Sequence, residues 1–205
     1  DRRTGPSASF ISPYDIDKIE VLRSPSSVFY GSDAIGGVIH ILTRSPSMQK
    51  SIRGTVRTSY GTVNEEKGFG IDFEGAGRTT GFLFSFQGRD AENYASPQGE
   101  VLQSQYSQGS LMGKVVHRSQ KRDVEVFFLG ARGYDIGKAN ADSRNKPTWY
   151  PLESENFIQM SWKEKNVGPR GEVNVQAYLN PHYLETVKET YGPYKTEETY
   201  GKTQS

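Results

Sequence analysis

The sequence predicts an all-β protein dominated by a transmembrane antiparallel β-barrel, present in part and preceded by the end of a small α+β unit. Three observations predict it. From about residue 52 the chain alternates apolar and polar side chains with period two. The connections between the alternating segments are unequal, short and long by turns. No apolar run approaches the 18 residues a membrane-crossing helix needs, so any crossing must use strands.

Residues 1–48 form the first unit. Turn formers open it (Gly5, Pro6, Ser7, Ser9, Ser12, Pro13), and Ile16–Arg23 follows as a short strand in which Ile19 and Val21 alternate with Lys18, Glu20 and Leu22. A turn at Ser24–Ser27 and a glycine-bearing stretch lead into an apolar strand, Val38–Thr43. Residues 52–205 form the second unit, with about seven strands expected near 53–61, 68–78, 82–92, 105–117, 123–135, 156–164 and 171–183. Phe82, Phe84 and Phe86 share one face, as do Ile158, Met160 and Trp162, and Val173, Val175, Ala177 and Leu179.

The links at 78–81, 118–122 and 165–170 are short, while those at 93–104 and 136–155 are long, and a third long one begins near 184. Short turns on one rim and long loops on the other describe an outer-membrane barrel, with the apolar stripe facing lipid and the polar stripe facing the lumen. The same periodicity fits a soluble β-sandwich binding module, secreted or periplasmic, whose apolar stripe faces a shared core. Solubility separates the two: a sandwich folds alone in water, whereas an open barrel exposes an apolar band and two edges. The segment Glu189-Thr190-Tyr191-Gly192 repeats as Glu198-Thr199-Tyr200-Gly201, either the two arms of an extracellular hairpin or coincidence. The opening Asp1–Pro6 lacks the character of a secretory leader, and Tyr200–Ser205 is polar with no terminal strand. A piece of a longer polypeptide is therefore expected.

Composition narrows the function. The net charge of +1, from 25 basic and 24 acidic side chains, argues against a nucleic-acid partner. The absence of cysteine excludes disulfides, cysteine zinc sites, iron–sulfur clusters and a thiol nucleophile. With 12 Tyr and 10 Phe, wholesale disorder is excluded.

One stretch carries more. Ile19-Glu20-Val21-Leu22-Arg23-Ser24-Pro25-Ser26-Ser27-Val28-Phe29-Tyr30-Gly31-Ser32-Asp33-Ala34-Ile35-Gly36-Gly37-Val38-Ile39-His40-Ile41-Leu42-Thr43-Arg44 resembles the C-terminal part of the plug domain of TonB-dependent outer-membrane receptors. Ser24 stands where the family usually has Gly, and His40 where it usually has Asn. In that family the plug is followed at once by the first strands of a barrel of about 22 strands.

The resemblance implies TonB-dependent active transport of a scarce nutrient across the bacterial outer membrane, with the plug gating the barrel. An iron chelate, ferric siderophore or haem, is the leading substrate class. The implied partners are TonB with ExbB and ExbD, a small-molecule ligand and outer-membrane lipid; no cofactor and no catalytic residue are implied. Arg23 and Glu20 are the expected plug–barrel latch, with barrel partners expected beyond residue 205, because a guanidinium fork suits a wall carboxylate. Gly31, Gly36 and Gly37 permit positive φ and close backbone approach.

Other patterns do not support a site. Gly31–Val38 mimics a phosphate-binding loop, but Gly37 stands where lysine is required. Gly75-Ala76-Gly77 lacks the third glycine of a dinucleotide site and leads into no helix. His40, His117 and His182 show no metal-ligand spacing, and neither Asp15 with Asp17 nor Glu153 with Glu155 supplies the ligands calcium needs. In the 136–155 loop, Arg144, Lys146, Trp149 and Tyr150 form a candidate ligand-binding group, since cations and aromatic rings suit anionic, aromatic iron chelates.

Overall fold

A computed structural model describes residues 11–23, 37–140, 143–168, 171–191 and 196–204. A 3-10 turn, Pro13–Asp15, opens the described chain, with the Ser12 hydroxyl accepting from Tyr14 N. Strands β1 (Ile16–Leu22) and β2 (Val38–Thr43) form an antiparallel pair by themselves. Gly37, which leads into β2, has φ +135°, and a Cβ there would stand 2.5 Å from the Leu22 carbonyl oxygen. Only glycine meets both demands.

The second sheet contains β3 (Ser51–Gly61), β4 (Glu66–Ala76), β5 (Thr80–Ala91), β8 (Tyr106–Arg118), β9 (Arg122–Gly137), β10 (Thr148–Val167), β11 (Gly171–Leu179), β12 (His182–Tyr191) and β13 (Thr196–Gln204). A two-residue hairpin, β6 (Ala95–Ser96) with β7 (Gly99–Glu100), decorates the β5–β8 loop. Every pairing is antiparallel, and apart from β11 and β12, which both pair with β10, each wall strand lies beside the next one in the chain, the up-and-down order of a barrel wall. One rim carries the tight links after β4, β8 and β10. The other carries the β5–β8 and β9–β10 loops.

The two faces separate as period two requires. Ile71, Phe73, Phe84, Phe86, Leu111, Val115, Val126, Ile158, Met160 and Trp162 point to one side, and Phe73 keeps 46% of its surface exposed. No second sheet covers this face among the described residues, so the apolar stripe is a lipid-facing band and the sandwich arrangement is displaced. The other face is more apolar than a purely polar lumen stripe: Leu83 and Met112, both 0% exposed, cluster with Phe127 and Leu129, and Ile11 and Phe157 pack against them. Ile11 precedes the small sheet, so this inner patch seats part of the N-terminal unit.

Three elements extend beyond the strands expected from the sequence. Strand β10 starts at Thr148 rather than near 156, so the loop contracts to 138–147 and Trp149 and Tyr150 lie in the strand. Pro151 lies within β10 at a gap in the ladder, between the Tyr150–Ile136 and Leu152–Tyr134 pairs, and Asp135 across from it has a φ of +47°. Strands β11 and β12 both pair with β10, as two halves of one line broken at Asn180-Pro181, where the Pro181 carbonyl still accepts from Asn156 N. Strand β13 pairs residue for residue with β12, setting Glu189 opposite Glu198 and Val187 opposite Tyr200, so the described residues of the two repeated segments lie on paired antiparallel strands.

Candidate functional site

The site is the polar contact between the N-terminal unit and the inner face of the wall. Asp72 occupies the centre of β4, opposite Thr55 of β3 and Ser85 of β5, and is 3% exposed. Its neighbours Ile71 and Phe73 face outward, so period two aims Asp72 into the lumen.

Two arginines meet at this carboxylate. Arg44, just past β2, donates from Nη2 to Asp72 Oδ2 at 2.7 Å. Arg57, two residues along β3 from Thr55, brings Nη1 to within 2.5 Å of the same oxygen, but off hydrogen-bond alignment. Ser85 Oγ donates to Oδ1 at 2.9 Å and itself accepts from Gln87 Nε2 at 3.0 Å. The Tyr14 ring lies 5.2 Å from the Arg57 guanidinium.

Asp15 completes the group. It is 2% exposed, its carbonyl accepts from Arg44 N at 2.8 Å, and its Oδ1 stands 3.8 Å from Arg44 Nη2. Burial pushes the Asp15 carboxyl above its ordinary 3.8; the Ser85 hydroxyl and the Arg44 and Arg57 charges oppose the rise, and Asp72 adds to it.

A second contact lies one row along the wall. Lys114 of β8, 5% exposed, donates from Nζ to Thr43 O (3.2 Å), Thr43 Oγ1 (2.9 Å) and Ser45 Oγ (3.4 Å). Glu125 of β9 stands 3.9 Å away, and the ammonium lies 5.3 Å from the Phe127 ring. Both contacts join β2 and its exit to β4 and β8, across 28 and 71 residues of chain respectively.

Glu20 lies within the small sheet, opposite His40, with Lys18 Nζ at 2.6 Å and His40 Nδ1 at 3.7 Å; the Lys18 hydrogen bond holds its carboxyl below the usual range. Arg23 is exposed at the end of β1, and among the described residues no carboxylate lies within ion-pair distance of it. Gly31 and Gly36 lie outside the described residues; Gly37 is the tight approach given above.

Arg144 and Lys146 are exposed on the β9–β10 connection. Tyr150 accepts from Lys138 Nζ at 3.0 Å. Trp149 lines a cavity of about 430 Å³ with Gln103, Gln105, Asp135, Glu189 and Tyr191. Arg57, Asp72, Ser85 and Lys114 were not legible as a site. The available signal was a charged residue aimed inward from the middle of a membrane strand, as Asp72 and Lys114 are.

Residues 1–38 match the family model of the TonB-dependent receptor plug domain. The N-terminal stretch of the chain is thus similar to the plug domain of TonB-dependent receptors. An iron-regulated outer membrane virulence protein of Vibrio cholerae is 55% identical over 51 residues, 25% of this chain and 7% of that protein. The ferric enterobactin receptor PirA of Pseudomonas aeruginosa is 40% identical over 47 residues, 23% of this chain and 6% of that protein. The matches thus span only a small part of these relatives' length.

Among solved structures, the copper transporter OprC superposes with a TM-score of 0.66 at 19% identity, over 89% of this chain and 27% of its own; at that identity the likeness establishes the fold. The protein is one of the outer membrane, its strands forming part of a barrel wall behind an N-terminal unit whose residues 1–38 match the plug. The two clusters about Asp72 and Lys114 are accordingly contacts between the N-terminal unit and the wall.

Proposed function

We propose that the whole receptor imports an iron chelate, of the ferric siderophore or haem class, across the outer membrane, driven through TonB with ExbB and ExbD, with the plug as the gate. The observation that carries this reading is the interface itself. The plug is held to the wall by the Arg44–Asp72 ion pair and by charge-assisted hydrogen bonds from Lys114, together with one small apolar seat. Such pairs exchange for water when the plug moves, which a gate requires and a permanent core does not. Iron is favoured because the V. cholerae relative is iron-regulated and PirA is named for ferric enterobactin.

Arg23 and Glu20 remain proposed latch residues toward wall strands beyond β13, in addition to the Arg44–Asp72 contact. Ligand contact is assigned to the long-loop rim that carries Arg144, Lys146, Trp149 and Tyr150. The test is uptake of radioactive iron, supplied either as a tris-catecholate siderophore or as haem, by a deletion strain grown under iron limitation. Uptake of one of the two is expected to fall to background and to return only with the full-length gene in a strain with functional TonB. Unchanged uptake of both refutes the iron assignment.

A further inference from the structure

Asp72 has two arginine partners, and they belong to different bodies. Arg44 is on the plug; Arg57 is on the wall strand next to Asp72. Both reach Oδ2, but only Arg44 makes an aligned hydrogen bond, while Arg57 Nη1 sits close and buried without one. When the plug leaves, Arg44 goes with it. A carboxylate left alone in this position is costly, because a buried charge stripped of its partner loses attraction without regaining full hydration.

We infer that Arg57 is an exchange partner: it takes over the aligned bond to Asp72 as Arg44 withdraws, so that the wall carboxylate is paired in both the seated and the displaced state of the plug. Arg44, Arg57 and Ser85 touch the Asp72 carboxylate, Thr55 lies opposite it on β3, and Asp15 stands beside Arg44. Of these, Arg57, Ser85 and Thr55 stay with the wall. Ser85 holds Oδ1 throughout, leaving Oδ2 as the position at which one guanidinium replaces the other. Arg57 is thus a positioning residue for gating, and it lowers the barrier to plug movement rather than tightening the seat. The inference rests on the reading of the plug as a gate.

It makes an unusual demand: two arginines on one carboxylate must give opposite phenotypes. The experiment uses the full-length receptor in planar lipid bilayers with potassium chloride as the probe, and measures the rate at which pores open in urea. Arg44→Gln removes the plug's own bond and is expected to speed opening. Arg57→Gln leaves Asp72 dependent on Arg44 and is expected to slow opening at least about tenfold, the factor that each 1.4 kcal/mol contributes. In an Asp72→Asn background Arg57→Gln is expected to have no effect.

Because the Tyr14 ring also touches Arg57, Tyr14→Leu serves as the control and is expected not to slow opening. Heat-modifiable migration confirms that each barrel is folded. Opening of folded Arg57→Gln receptor at the wild-type rate or faster overturns the exchange while leaving the gate intact. Equal conductance of the wild type and of a receptor with its plug excised overturns the gate, and the exchange with it.

Discussion

The Lys114 contact can be tested by Lys114→Met, which keeps the length and apolar stem of the side chain and removes its charge. Lys114 is 5% exposed, and three of its contacts are to plug oxygens, at 3.2, 2.9 and 3.4 Å. Hydrogen bonds from a charged donor are each worth about 1.5–3 kcal/mol. The ammonium has been taken largely out of water, which cancels several kcal/mol of that sum. Methionine keeps the packing on Phe127. The net loss of seating energy is therefore about 1–2 kcal/mol, or roughly a 5–30-fold rise in the population whose plug strand has opened.

Hydrogen exchange of residues 38–45 in the full-length receptor reads this population directly. Protection of that segment is expected to fall by that factor, while β4, β5 and β9 keep theirs. Unchanged protection in the variant would show that Lys114 does not hold the plug. Equal loss across the wall strands would show a folding defect instead.

Other substitutions test other parts of the structure. Burial raises the Asp15 carboxyl above its ordinary 3.8, so the seated plug binds a proton more readily than the released one. Plug seating is strengthened as pH falls toward 3.8 and weakened as pH rises through the raised value; Asp15→Asn should flatten the pH dependence of the urea midpoint in that window. Gly37→Ala places a Cβ 2.5 Å from Leu22 O at a positive φ and should cost the plug about 1–3 kcal/mol, seen as lost protection in β1 and β2 with the barrel folded. Phe84→Lys puts a charge on the lipid face and should cost barrel insertion about 2–4 kcal/mol if near the bilayer midplane, read as the folded fraction in vesicles.

Period two made the wall legible because its cause is local: each strand of a barrel separates lipid from lumen with its own residues. Ile71-Asp72-Phe73 and Phe82 to Phe86 announce their faces without reference to any other strand. Pro151 and Pro181 each lack a donor, but the neighbouring ladder carries the strand past the gap, as the Asn156–Pro181 bond shows. The plug motif was legible as a long ordered string, yet the contacts that seat it were not. Arg44 and Asp72 are 28 residues apart, and Lys114 and Thr43 are 71 apart. Nothing in their spacing pairs them; only the curvature of the wall around the plug does.

The distribution of polar and apolar contacts across this interface follows from what each costs when the plug moves. The apolar seat, Ile11 against Leu83, Met112, Phe127 and Leu129, is small, and displacing Ile11 exposes apolar surface at about 25 cal/mol per Å² with no compensation. The charged contacts behave differently. On release, Arg44, Asp15 and Lys114 regain hydration in a water-filled lumen, and Asp72 keeps Arg57 beside it. A plug seated by a broad apolar face would need the pulling force to work against the whole of that area. One seated mainly by pairs that trade for water holds register through geometry while keeping the release energy low. On this argument, enlarging the apolar seat should stall the plug without altering how the barrel folds.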